Sequence, residues 1–323
     1  MVRLSRTQYE AASFLDDRVL TPGQHGEWAP LDDLAKAAAG LEENCHFIFH
    51  IGHVGSTLIS RLLGATDGVF SLREPTPLPV LAHLLTELGK PEALWSEEEF
   101  EDRTALFLKL WSRTFEPHQA ALIKATSWGA ELAATLLARP SRPKALFLAV
   151  EPEVFLAGVM ASPGAWEDVS NAAQASLKRL HERLGEAPWT LHAMSPGERI
   201  AMSWACEMTA LGAARGASPH NVMWLDFEGF LDMPGEGLTA ALGHFGQAVD
   251  VAQVEALTTG PLMQRYSKLP EHRFDPVFRR RVLAESRARH EDEIARGMAW
   301  LDAASLRYPL IAAARGELGV LKF

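Results

Sequence analysis

The stretch Gly52-His-Val-Gly-Ser-Thr57 concentrates two glycines, a histidine and two hydroxyls directly behind the apolar run Phe47-Ile-Phe-His-Ile51. Leu58, Ile59, Leu62 and Leu63 then recur at helical spacing. Strand, glycine turn and helix N-terminus form a geometry that holds phosphate or sulfate. First-turn N–H groups lack intrahelical partners, the helix dipole favours an anion, and small residues let the backbone approach it. The N–H groups of residues 53–58 and the hydroxyls of Ser56 and Thr57 are therefore the expected site for an anion carried by a nucleotide. The loop is not a Walker A sequence, because Gly52 and Gly55 are too close and no lysine precedes Ser56. A tight strand-to-helix turn capped by Ser56 is the plainer alternative.

Other residues could complete a transfer reaction. Glu74 follows the strand expected near 69–72 at its C-terminal end, where a carboxylate can take a proton from an acceptor. A salt bridge to Arg73 or a helix cap before Pro75 is its other reading. Lys124 closes Leu122-Ile-Lys124 at the rim of a strand, placed either to reach a leaving phosphate or simply to extend to water. Arg61 and Arg73 are anion contacts or partners of surface carboxylates. His46, His50 and His53 share a strand and its loop without HExxH or CxxC spacing, so no metal is expected. Asp226 and Glu228 are expected to fix a turn. Trp128, Trp166, Trp204 and Trp300 either line an acceptor pocket or pack in the core.

These residues need a scaffold that brings strand ends together, and the periodicity supplies one. Strands are expected near 45–51, 68–72, 120–124, 144–150 and 221–226. Helices are expected at 6–18, 30–41, 56–65, 76–88, 96–116, 128–138, 152–161, 164–184, 195–215, 235–245 and 275–305. Ser96 with Glu97, Glu98 and Glu99 reads as a capped helix start, and the Arg/Glu/His-rich 275–305 segment as a solvated face. Repeated βα units predict a parallel sheet with helices on both faces and ligands at the strand C-terminal ends. No repeat or linker divides the chain, so one domain over 1–323 is expected, with a motif-bearing core at about 45–245 and a helical part at about 250–310.

The segment His50-Ile-Gly-His-Val-Gly-Ser-Thr-Leu-Ile-Ser-Arg-Leu-Leu63 resembles the 5′-phosphosulfate loop of the sulfotransferase family. Ser71-Leu-Arg-Glu-Pro75, Leu122-Ile-Lys-Ala-Thr126, Lys144-Ala-Leu-Phe-Leu-Ala-Val-Glu-Pro152 and Met223-Trp-Leu-Asp-Phe-Glu-Gly-Phe-Leu-Asp-Met-Pro234 follow in that family's order. The resemblance covers about Phe47 to Pro234. It implies an α/β, three-layer P-loop-type fold with a central parallel sheet and helical elaborations. It also implies sulfuryl transfer from phosphoadenosine phosphosulfate, as co-substrate, to a hydroxyl or amine acceptor, with no metal. The residues it implies for catalysis are Glu74 as base, Lys124 at the leaving phosphate, and His53. Donor contacts fall to Gly52, His53, Val54, Gly55, Ser56, Thr57 and Leu58.

The chain departs from that pattern at three places. His53 stands where the family usually has lysine or arginine. The arginine and serine that hold the nucleotide's 3′-phosphate are replaced by Val150 and Gly158, and an apolar residue cannot offset a buried phosphate. Three readings stay open: Arg265 and Lys268 close over the 3′-phosphate instead; the donor is ATP-like and lacks that group, giving a phosphotransferase; or the site binds a nucleotide or anion without turnover.

Composition sets the remaining bounds. The 323 residues are 47% hydrophobic and 22% charged, enough for a large core. A net charge of −10 opposes broad binding to nucleic acid or anionic membranes, so an anionic donor needs a local basic pocket. Two cysteines, Cys45 and Cys206, read as reduced core thiols. No apolar run approaches the ~18 residues of a membrane span and no export signal is evident, which predicts a cytoplasmic protein.

Overall fold

The strands form where β-branched, aromatic and other apolar side chains run on without interruption. In the computed structural model, which describes residues 2–19, 26–265 and 276–319, they are Cys45–His50 (β1), Val69–Arg73 (β2), Ala120–Lys124 (β3), Ala145–Ala149 (β4) and Val222–Asp226 (β5). Nearly every position in β1 to β4 is buried, as strands covered on both faces require. They make one parallel sheet of order β2-β3-β1-β4-β5, flanked by helices in an α/β three-layer arrangement.

That order positions the site. The chain starts at the centre of the sheet with β1, runs to the edge as β2, returns as β3 and crosses β1 to β4. Such a reversal opens a crevice beyond the strand C-terminal ends. The register puts Lys124 level with both Ile48 and Arg73. The Glu74 N–H donates to the Lys124 carbonyl at 2.8 Å and the Ala125 N–H to the Ile48 carbonyl at 2.9 Å. The exits of β1, β2 and β3 are thus tied side by side.

The helix Ser56–Gly64 leaves β1 through the glycine loop and buries Leu58, Ile59, Leu62 and Leu63. Two long helices, Pro163–Leu184 and Pro196–Ala217, pack against each other. Ser96 and Ser195 each close a capping box, with Glu99 and Glu198. Cys45 and Cys206 are free and buried, and burial pushes their thiols up to about 12 and about 11. Among the described residues no helix is long and apolar enough to cross a membrane.

Several expected helices have different limits. The 96–116 segment is helical only over Glu97–Trp111, and 128–138 is a 3-10 turn at Ser127–Leu132 followed by Ala133–Leu137. The 275–305 helix is two, Pro276–Arg289 and Glu291–Arg307, separated at His290. Val251–Thr259 and Pro309–Gly319 are additional helices.

The 6–18 segment is α-helical only over Arg6–Ala11, with a 3-10 turn at Asp17–Val19, and a different set of partners takes the carbonyls of residues 9–12. Arg73 donates to the carbonyls of Tyr9, Glu10 (3.1 Å) and Ala12 (2.7 Å). Arg61 donates to those of Glu10 (3.2 Å) and Ala11 (3.1 Å). These arginines therefore pin the main chain of an N-terminal strap. Burial, then the neighbouring Arg61, pulls the Arg73 guanidinium down to about 10. Leu15 completes the attachment, its N–H donating to the Arg73 carbonyl at 2.7 Å. The strap brings the Phe14 ring to 5.7 Å from the Lys124 ammonium, with the Arg18 guanidinium 3.6 Å from the same ring.

Candidate functional site

The loop after β1 is held in an unusual backbone conformation. Gly52 (φ +91°), His53 (φ +55°) and Gly55 (φ +71°) are all left-handed. At Gly55 the requirement is double, since a Cβ there would fall 2.0 Å from the Phe227 ring. The helix that follows has no side-chain cap at Gly55. Its first N–H groups, from Ser56, Thr57 and Leu58, are therefore left for a ligand. Ser56 and Thr57 are buried, and the Thr57 hydroxyl has no hydrogen-bond partner. A buried hydroxyl without a partner is costly unless a ligand supplies one.

Glu74 and Lys124 meet beside this loop as an ion pair, with side chains 15% and 1% exposed. Glu74 itself is left-handed (φ +51°). His50, the last residue of β1, is fixed by two backbone groups. Its Nδ1 accepts from the Gly52 N–H at 3.0 Å and its Nε2 donates to the Ala125 carbonyl at 2.8 Å. That arrangement defines a neutral ring protonated on Nε2. His53 Nε2 lies 3.5 Å from Asp168 Oδ2.

Two cavities meet at this point. The first, of about 270 Å³, is lined by the loop from His53 to Leu58 together with Glu74 and Lys124. Its far wall comes from the helices Pro152–Met160 and Pro276–Arg289, chiefly Gly158, Leu283 and Arg279. The second, of about 420 Å³, lies towards the strap and the two long helices, with Phe14, Trp128, Asn171 and Glu207 among its walls. His50, His53 and Glu74 line both. A group bound on the loop and a second molecule bound beyond it would face each other across Glu74.

The expected donor contacts Gly52, His53, Val54, Gly55, Ser56, Thr57 and Leu58 thus stand together with Glu74 and Lys124. Arg265 is exposed and lines neither cavity, and Lys268 lies outside the described residues. Val150 is buried in the core, its carbonyl accepting from Trp204 Nε1 at 3.1 Å, so it offers nothing to a phosphate. A Cβ on Gly158 would meet only Leu283, at 3.8 Å. Asp226 does fix the turn after β5, accepting from the Gly229 N–H at 2.8 Å as the cap of a short helix, Phe227–Asp232. Of the tryptophans, Trp128 lines the second cavity while Trp204 and Trp300 are buried.

Arg279 went unanticipated. It donates to Glu228 at 2.6 Å, lies 5.2 Å from the Phe227 ring and faces the first cavity. The sequence hides it in Phe278-Arg-Arg-Arg281, where only the register of a helix distinguishes the inward arginine. Glu207 was also missed, although a carboxylate inside Met202-Ser-Trp-Ala-Cys-Glu-Met208 is a visible anomaly. No group of three or more metal-ligating side chains occurs among the described residues.

No family model matches the chain, and no curated protein matches its sequence. Solved structures do resemble it in fold, at low identity. One is a sulfotransferase domain from the curacin biosynthetic pathway, 15% identical over 74% of this chain and 86% of that one, with a TM-score of 0.43. Another is a sulfotransferase from Alicyclobacillus acidocaldarius, 14% identical over 80% of this chain and 99% of that one, with a TM-score of 0.39. A third is mouse sulfotransferase SULT7A1 complexed with PAP, 10% identical over 71% and 69% of the two chains, with a TM-score of 0.36.

Proposed function

We propose that this protein transfers a sulfuryl group from phosphoadenosine phosphosulfate to a hydroxyl or amine acceptor. The observation that carries the reading is Glu74, paired with Lys124 and lining both cavities where they meet beside the glycine loop. The fit to the donor's 5′ end is supported by the uncapped helix start and the unpartnered Thr57 hydroxyl. When bound, the donor supplies an activated sulfuryl group and a phosphate that leaves as an anion.

The protein's own residues then have separable tasks. Loop N–H groups and the hydroxyls of Ser56 and Thr57 fix the anion and hold the reacting sulfur in line. Glu74 takes the proton from the acceptor as the new bond from acceptor oxygen or nitrogen to sulfur forms. Lys124 stabilises the charge that collects on the leaving phosphate as the old sulfur–oxygen bond breaks. The anion draws the lysine away from Glu74, and a carboxylate relieved of its cation is the stronger base. His53, beside Asp168, adds a donor to the same anion when protonated.

The 3′ end fits less well. With Val150 buried and no side chain at Gly158, the cation on that wall among the described residues is Arg279. This favours a second reading, a phosphotransferase using an ATP-like donor. Calorimetry with adenosine 3′,5′-bisphosphate and with ADP separates them. Preferential binding of the bisphosphate is expected for sulfuryl transfer, whereas preference for ADP or ATP moves the reading to phosphotransfer. Binding of neither sinks both.

A further inference from the structure

The two cavities differ in chemistry. The first is walled largely by apolar groups such as Val54, Ala161, Phe227, Phe278 and Leu283. The second is lined by Thr126, Asn171, Ser176, Ser203 and Glu207, with Trp128 as an apolar plate. Its charged groups already have partners. Glu74 pairs with Lys124, Asp168 with His53, Arg18 with Asp16, and Glu207 with Arg179 at 2.7 Å. Each carboxylate of this cavity thus already faces a basic group.

What the cavity does have is unused hydrogen-bonding capacity. Glu207 is 5% exposed in its side chain; one oxygen accepts from Arg179 while the other, Oε2, has no partner. The Thr126 hydroxyl has none either. Burial raises the Glu207 pKa and the adjacent Arg179 opposes it, so the carboxylate depends on its neighbours to stay ionised. A hydroxyl donated to Oε2 would meet the deficit directly.

We propose that the second cavity binds a neutral polyhydroxylated acceptor, a sugar or polyol, with one hydroxyl donating to Glu207 and another presented to Glu74. A simple phenol has one hydroxyl and cannot serve both carboxylates. An ammonium would compete with Lys124 and Arg179 for groups they already neutralise. The flat wall of Trp128 suits the C–H face of a sugar ring. Assigning the reacting hydroxyl to Glu74 rests on the sulfuryl-transfer reading; the binding of hydroxyl groups at Glu207 does not.

Binding is therefore measured directly on the full chain, by calorimetry and ligand-observed NMR, without a donor. The probes are glucose, galactose, N-acetylglucosamine and myo-inositol, against 4-nitrophenol and benzylamine, each up to about 10 mM. At least one sugar or polyol should bind. Glu207→Gln should weaken it about tenfold by replacing a charged acceptor with a neutral amide. Ser203→Leu and Ala172→Phe, which fill the cavity from two different helices, should each abolish it. Adenosine 3′,5′-bisphosphate binding to the same variants reports on the first cavity separately, and failure of that ligand on the wild type counts against sulfuryl transfer alone. The proposal is overturned if no sugar or polyol binds, if only the phenol or the amine does, or if a bound sugar is indifferent to Glu207→Gln and to whichever cavity-filling variant keeps the wild-type circular dichroism.

Discussion

Replacing Glu74 by glutamine separates what the ion pair does for stability from what it does for chemistry. The Lys124 side chain is 1% exposed, so the variant keeps a buried ammonium but removes its carboxylate partner. Breaking a buried pair from one side costs about 3–5 kcal/mol. Glu74 is 15% exposed and opens on a cavity, which places the expected loss near the lower end, at about 3 kcal/mol. For a chain of 323 residues, an unfolding entropy of about 2.1 cal/mol/K per residue gives roughly 0.7 kcal/mol/K, so Tm should drop by about 4 °C. The double variant Glu74→Gln, Lys124→Met replaces the pair by a polar amide and an apolar side chain and should recover most of that drop. Turnover should follow neither trend, falling about 10²-fold or more in the single variant and no less in the double. Calorimetry should show the single variant binding adenosine 3′,5′-bisphosphate at least as tightly as wild type, since Glu74 no longer competes for Lys124. Scanning calorimetry, titration and initial rates on the three proteins give the answer. A Glu74→Gln protein that melts with wild type, binds with wild-type affinity and turns over at the wild-type rate refutes the argument.

Gly55→Ala forces a Cβ into the Phe227 ring at a left-handed position and should abolish bisphosphate binding while destabilising the fold by at least about 2 kcal/mol, measured by urea unfolding. Arg279→Gln should weaken the bisphosphate about tenfold by titration. It should change stability by less than about 1 kcal/mol, since Arg279 and Glu228 are 19% and 28% exposed in their side chains. Stability should fall on acidification through His46, whose pKa burial, then Lys144 and His244, lower to about 4. Between about 6.5 and 4 the unfolded chain takes up a proton that the native ring refuses, so the unfolding free energy from urea titration should be level above that window and decline within it, by up to about 3 kcal/mol. His46→Asn, which can still accept from the Lys144 N–H, should flatten that decline.

The sheet was legible because each strand is a continuous apolar run, and the loop because glycines and hydroxyls follow the first of them. Lys124 and Glu74 could be expected near each other because both close strands of a parallel sheet. The second cavity was not legible. Asn171, Ser176, Ser203 and Glu207 sit on two long helices, and nothing local tells which turn of one helix faces which turn of the other. The main-chain contacts of Arg61 and Arg73 were hidden for a different reason. Their partners are backbone carbonyls near the N-terminus, and a carbonyl leaves no mark in the sequence.

That mode of attachment bears on how the protein can change. Arg61 and Arg73 hold the N-terminal strap by its main chain, an anchorage that does not depend on which side chains residues 10–12 carry, and the Tyr9 ring adds contacts with Phe70 and Phe115. Phe14 and Arg18, next along the same segment, are walls of the second cavity. Substitutions at those two positions can therefore reshape the pocket without loosening the segment that presents them. Mutational drift there would alter what the second cavity binds at little cost in folding, while drift in the glycine loop would be lost with the fold. A library randomised at Phe14 and Arg18, screened for retained melting temperature and then for altered acceptor binding, should be rich in folded proteins with new preferences.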